Sequence, residues 1–197
     1  MRRFVVPAVI VACVLALGGC GRDDAATPPA PRTGSVTPSP LPSGAYNGSD
    51  VMFLQMMVPH HGQGVEIARL AATRAVRPEV KTLAAAIVST QTSEIEQMSG
   101  WLREWGQPAT GDANAHAEHG GMPQTSAAEI ARLKAASGAK FERDFLNTLI
   151  AHQDDAIQLA RMETGGGANP RAKELADQIQ KSRAAQIRMM LEFLRTP

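Results

Sequence analysis

The chain has 197 residues, enough for one domain with tails. A formal charge of +1 and an aromatic content of 4% exclude the basic, base-stacking surface of a nucleic-acid-binding protein. Strand signals are nearly absent, while Ala, Leu, Met, Gln, Glu and Arg dominate after residue 50, which points to an all-α domain.

Residues 1–19 read as a signal peptide of the lipoprotein type. Arg2 and Arg3 supply the positive start, and Phe4 to Leu17 form an apolar run too short for a comfortable membrane span. The run ends in Leu17-Gly18-Gly19-Cys20, which resembles a bacterial lipobox; that pattern implies a lipid on the Cys20 sulfur and cleavage just before it. The alternatives are an uncleaved anchor and an ordinary signal peptide. Loss of Arg2 and Arg3 takes two positive charges from the formal +1 and leaves −1. Cys13 leaves with the signal, so the mature monomer has no disulfide and no second thiol. Residues 20–49, rich in Pro, Ala, Ser, Thr and Gly, read as a disordered tether.

Residues 50–197 read as a four-helix-bundle domain: hairpin one over 50–105, a connector over 106–138 and hairpin two over 139–195. The first helix is expected from about 50 to 74, with Ser49 or Asp50 as N-cap and a kink at Pro59, whose ring removes the hydrogen bond to Gln55. Pro78 opens the second helix, expected to run to about Trp105 with the inward stripe Val80, Leu83 or Ala84, Ile87, Gln91, Glu94, Met98 and Trp101. Gln91 and Glu94 interrupt that seam, and buried polar groups need partners. In the connector, Ser126-Ala-Ala-Glu129 looks like a capping box for a short helix ended by Gly138. A helix over about 139–164 stops at Gly165-Gly166-Gly167, and Asn169-Pro170 caps and starts the last one, to about Arg195.

The two hairpins are copies. A shift of 92 positions lays Phe53-Leu54 on Phe145-Leu146, His60 on His152, Ala68-Arg69 on Ala160-Arg161, Pro78 on Pro170, Ile87 on Ile179 and Met98 on Met190, without a gap. Neither hairpin buries its apolar face alone, so the two are expected to pack as a pseudo-symmetric bundle with the connector helix as an extra.

The chemistry-bearing residues collect on the expected inner faces. One stripe reads Phe53, Met57, His60, Gly64, Ile67 and Ala71, with His61 beside it. Met56 and Met57 each stand four residues before a histidine, so thioether and imidazole groups share a surface. His60, His61, Gln91, Glu94, Met98, His152 and Asp155 map to similar heights, and with the adjoining Met56 and Met57 they are the candidate ligands for one or two metal ions. The competing reading is a set of satisfied core groups, with histidine bonded to glutamate across the bundle and methionine as core filling. A secondary loop site is His116, His119 and Met122, against a plain solvated connector. Histidine with methionine and no thiolate favours copper, with zinc and iron as alternatives.

The run Phe53, Met56-Met57-Val58-Pro59-His60-His61, Ile67-Ala68, followed by Pro78-Glu79-Val80-Lys81, Gln91, Glu94-Ile95 and Met98, resembles the bacterial DUF305 family. The resemblance covers about residues 50–195 and implies a ferritin-like fold, export from the cytoplasm and an association with copper, carried by His60, His61, the neighbouring methionines and Glu94. The chain departs from the symmetric pattern, with Gln153 for the second histidine of copy two and Arg183 and Gln186 for Gln91 and Glu94. The expected function is sequestration or transfer of copper by a protein facing outside the cytoplasm and held at the membrane through Cys20, with a metal-receiving protein or a homodimer as further partner. One alternative is a ferritin-like di-metal oxidase; Glu66 and Glu94 are its only carboxylates in hairpin one, and Gln158 and Gln186 replace them in hairpin two. The other is a metal-free structural or partner-binding lipoprotein.

Overall fold

The computed structural model describes residues 44–111 and 124–195. The signal stretch, Cys20, most of the tether and the loop candidates His116, His119 and Met122 lie outside the described residues. The described chain forms five helices, α1 (Gly48–Arg74), α2 (Pro78–Glu104), α3 (Ala127–Ala135), α4 (Gly138–Gly166) and α5 (Pro170–Arg195). α1 packs on α2, α4 on α5 and α1 on α4, while α3 lies against α4, which gives an all-α four-helix bundle with one accessory helix. None of the described helices is long and apolar enough to cross a membrane.

Local chemistry accounts for most boundaries. α1 starts earlier than expected because Asn47, and neither Ser49 nor Asp50, is its cap. The Asn47 side chain accepts from the Ser49 and Asp50 amides, and Asp50, at the third helical position, accepts from the Asn47 amide at 2.6 Å. α1 then runs on through Pro59 to Arg74. The Ser126–Glu129 capping box opens α3 as its sequence implies. Gly138 does not end α3, which stops at Ala135; at φ +58° it is the first residue of α4, where the left-handed conformation suits glycine. α4 continues into the glycine run, to Gly166. Asn169 caps α5 by accepting from the Arg171 and Ala172 amides.

Each hairpin's turn is held by an acid of the other hairpin. Glu142 on α4 accepts from the Val76 and Arg77 amides between α1 and α2, both at 2.8 Å. Asp50 on α1 accepts from the Ala168 and Asn169 amides between α4 and α5, at 3.1 and 2.8 Å. Asp50 and Glu142 are equivalent under the 92-residue shift, as are the amides they bind. The duplication is thus repeated in the tertiary contacts as well as in the helices.

The core is in two apolar halves. One gathers Phe53, Leu54, Met56 and Met57 with Met98, Trp101, Leu159 and Leu175. The other gathers Ile67 and Ala71 with Val80, Ile87, Phe141, Phe145, Leu149 and Met190. The residues of each half show that α1 runs antiparallel to α2 and α4, and α4 antiparallel to α5. On each of α1, α2, α4 and α5 the interval between the halves carries polar side chains, and these make one layer across the middle of the bundle.

Candidate metal centre

Helical spacing places the layer. α1 supplies His60, His61 and Gly64, α2 supplies Gln91 and Glu94, α4 supplies His152 and Gln153, and α5 supplies Arg183 and Gln186. His60, His61, Gln91, Gln153 and Arg183 are fully buried, and His152 retains 1% of its exposure.

One side of the layer is closed by charge. Arg183 reaches from α5 to the Glu94 carboxylate on α2 in a buried ion pair. His61 Nε2 lies 2.8 Å from Glu94 Oε2 and 3.2 Å from Arg183 Nη2, so it either donates to the carboxylate or accepts from the guanidinium. Donation to a carboxylate is the stronger bond. It leaves the buried Nδ1 of a neutral His61 as a lone pair, and that atom has no partner. Carboxylate support of this kind orients the histidines of metal sites. Burial tends to raise the Glu94 carboxyl, but the His61 hydrogen bond and the Arg183 charge outweigh it and hold it below the usual range. A chain of amides borders the pair, with Gln91 Nε2 donating to Gln153 Oε1 at 3.2 Å and Gln153 Nε2 donating to Gln186.

The other side is built from equivalent residues of the two copies. The His60 and His152 rings stack with centroids 3.9 Å apart and planes 14° apart. His152 Nδ1 meets Thr125 Oγ1 at 3.2 Å, while His152 Nε2, both nitrogens of His60 and Gln91 Oε1 have no partner. A Cβ on Gly64 would lie 2.3 Å from Gln91 Oε1 and 2.8 Å from His152 Nε2, so the bare backbone of α1 makes room for both atoms. Burial, then the charges of His152, His61 and Arg183, push the pKa of His60 down to about 2. His152 is pushed down to about 4 by burial and the His61 charge, opposed in part by the His60 carbonyl, whose approach falls short of a formed hydrogen bond. Both imidazoles are therefore neutral at pH 7, the form that can ligate a metal.

Orphaned buried donors and acceptors are uncommon because each forfeits its water without replacement. Six such atoms lie in the layer: Arg183 Nε, a donor, and five on His60, His61, His152 and Gln91, which supply one lone-pair nitrogen from each neutral histidine and an amide oxygen as a set of possible ligands. They do not form a finished cage. Among the described residues, His, Cys, Asp and Glu nowhere gather three or more at ligating positions. The lone pairs of imidazole lie in the ring plane, so two stacked parallel rings cannot both aim at an ion between them.

Of the residues singled out in the sequence, His60, His61, Gln91, Glu94 and His152 meet in the layer. Met57 and Met98 are fully buried in the adjoining apolar half, and Met56 faces a small cavity beyond it. Asp155 is half-buried on α4 and pairs with no group of the layer among the described residues; burial and neighbouring Asp154 raise its carboxyl. Glu66 is outside the layer, bound to Lys134 at 2.7 Å, and Gln158 is exposed. Sequence reasoning treated Gln153, Arg183 and Gln186 as departures from symmetry, yet they complete the layer. The signal was their register: they are the 92-residue equivalents of His61, Gln91 and Glu94.

Comparison with known proteins agrees with this architecture. A DUF305 protein described as secreted, from Streptomyces coelicolor, superposes with a TM-score of 0.70 and 28% identity, over 75% of this chain and 92% of that one. A DUF305 fragment from Deinococcus radiodurans gives 0.67 and 29%, over 77% of this chain and 98% of that one. CopM in its Cu(II)-bound form gives 0.62 and 29%, over 74% and 95%. CopM has also been solved with Cu(I) and with Ag bound. None of the curated proteins compared with the sequence matches it. The family model described as "Domain of unknown function (DUF305)" matches residues 50–194, and the chain belongs to that family.

Proposed function

We propose that this protein binds copper at the mid-bundle layer and sequesters it, or passes it on, outside the cytoplasmic membrane. The observation that carries the reading is the group of unpartnered ligand atoms on His60, His61, His152 and Gln91, buried together in a polar layer between two apolar halves of the core. Copper bound in a structural relative supports the choice of metal, as does a donor set of imidazole and nearby thioether without thiolate. In this reading His60, His61 and His152 are the principal ligands. Glu94 orients His61 and lends negative charge, and Gln91 contributes its carbonyl oxygen. Arg183 stands where a symmetric site would have its second glutamine. A guanidinium there repels a second cation, so one ion is held in the layer.

The lipobox-like Leu17-Gly18-Gly19-Cys20 supports a lipid anchor, with residues 20–49 as the tether to residues 50–197 and the metal-receiving protein in the cell envelope. His116, His119 and Met122 serve as a capture site on the connector. The di-metal oxidase reading loses ground, since Glu94 is the only carboxylate in the layer among the described residues.

The test is a competition titration of the purified chain with Cu(I), Cu(II) and Zn(II), in wild type and in His60→Ala/His61→Ala. Loss of one tightly bound equivalent of copper in the double variant is the expected result. An unchanged number and affinity of bound equivalents in the double variant would overturn the layer as the site.

A further inference from the structure

A second cluster of soft ligands lies away from the histidine layer, where the start of α1 meets the end of α4. Met52 and Met56 stand four apart on α1 and so share a face, and Met162 comes from α4. All three line one cavity of about 110 Å³, with Ser49 at its edge and Phe53 and Leu159 as apolar wall. The chain has nine methionines, so a third of them face this single small space. Methionine in a helical core is usually filling, but Met162 is 44% exposed.

Glu163 supplies the independent observation. It lines the same cavity, is 1% exposed, and neither carboxyl oxygen has a donor. The group beside it is another acid, Asp50, which accepts a hydrogen bond from Glu163 when Glu163 is protonated and is already committed to the amides of the α4–α5 turn. Its other boundary is the backbone of Gly167, where a Cβ would lie 2.2 Å from Glu163 Oε1. Burial and the Asp50 carboxylate push the pKa of Glu163 up to about 8, with Lys173 offsetting only part of the effect. Two buried acids with thioethers around them make a place that needs one positive charge. At neutral pH a proton supplies it, and a bound cation would supply the same charge.

We propose that Met52, Met56 and Met162, with Glu163, form a binding site for a soft monovalent cation of the Cu(I) or Ag(I) class. Thioether sulfur selects such ions over Zn(II), and the carboxylate neutralises the single charge inside the bundle. The exposed Met162 offers the way in. This site is separate from the mid-bundle layer and does not depend on it.

The experiment is a titration of the full chain with Ag(I), a redox-inert probe, with Zn(II) as competitor. Four proteins are compared: wild type, Met52→Leu/Met56→Leu/Met162→Leu, Glu163→Gln and His60→Ala/His61→Ala. Leucine conserves volume, so the fold is expected to persist. The triple variant should lose one equivalent of Ag(I) or bind it at least about tenfold more weakly. Glu163→Gln should weaken the same equivalent, Zn(II) should not displace it, and the histidine variant should keep it. Unchanged stoichiometry and affinity in the triple variant would overturn the proposal, whatever the histidine variant does. Loss only in the histidine variant would do the same while leaving the layer site standing. Should the triple variant fold poorly, X-ray absorption at the silver edge of His60→Ala/His61→Ala decides, with sulfur neighbours expected and a purely nitrogen and oxygen shell overturning the assignment.

Discussion

Arg183 is the residue on which the layer's electrostatics turn. It is fully buried, and Glu94 is its one carboxylate partner among the described residues. Burial lowers its pKa and Glu94 draws it back. Removing one member of a buried pair leaves an uncompensated charge, so Glu94→Gln should destabilise the fold by about 3 kcal/mol. Glu94→Gln combined with Arg183→Met should recover most of that loss. Urea unfolding of the single and double variants checks both, and a single variant within about 0.5 kcal/mol of wild type would refute the argument. The sequence made the histidines legible because two adjacent imidazoles on an apolar stripe have few other uses. It did not reveal Arg183, because arginine on a helix ordinarily marks the solvent face. Only the spacing Ile179, Arg183, Met190 betrayed it, and that stripe gains meaning once Gln91 is known to sit at the equivalent place.

At the scale of elements, helices were legible from their punctuation, and the errors fell where two signals competed. Asn47 took the cap of α1 from Ser49 and Asp50 because its side chain reaches two amides, and Asp50 accepts both from the Asn47 amide and from the opposite turn. The pairing of Asp50 with one turn and Glu142 with the other was written in the repeat register but needs the antiparallel docking to be seen. α1 also carries Gly64, placed mid-helix against propensity. Gly64→Ala should gain about 1 kcal/mol in intrinsic helix preference. Its Cβ would also displace the flexible end of Gln91 and crowd His152. The expected variant is as stable as wild type within about 1 kcal/mol, yet binds copper about tenfold more weakly. Isothermal titration beside a melting curve separates the two effects. Wild-type affinity would remove Gln91 Oε1 and His152 Nε2 from the ligand set.

For the molecule as a whole, buried ionisable groups set the pH profile of the metal-free protein. His60 and His152 have folded pKa values of about 2 and about 4 against an unfolded 6.5. Below pH 6.5 the unfolded chain takes up protons that the folded chain refuses, so stability falls as pH falls, by about 1.4 kcal/mol per unit for each group. His61 is lowered by burial too and adds to this limb. Glu163 acts with the opposite sign. Its folded pKa of about 8 exceeds the unfolded 4.5, so its contribution is complete below 4.5 and is lost as pH rises to about 8. On the acid side the histidines outweigh the single glutamate, and on the alkaline side the glutamate acts alone. These groups together place the stability maximum near pH 6.5. Urea midpoints at about pH 5, 6.5 and 8 should trace the peak, and Glu163→Gln should flatten its alkaline limb. A monotonic profile through that range would contradict it.

The stack of His60 on His152 also has a kinetic meaning. Parallel rings present their lone pairs side by side, so one imidazole must swing out of the stack before both can ligate the same ion. That rotation happens inside a packed core and does not involve the metal. Loading of the layer should therefore have an observed rate that rises with copper concentration and then levels off at a ceiling set by the ring flip. Stopped-flow mixing would reveal the plateau, and a strictly linear dependence would mean that the rings are already parted in solution.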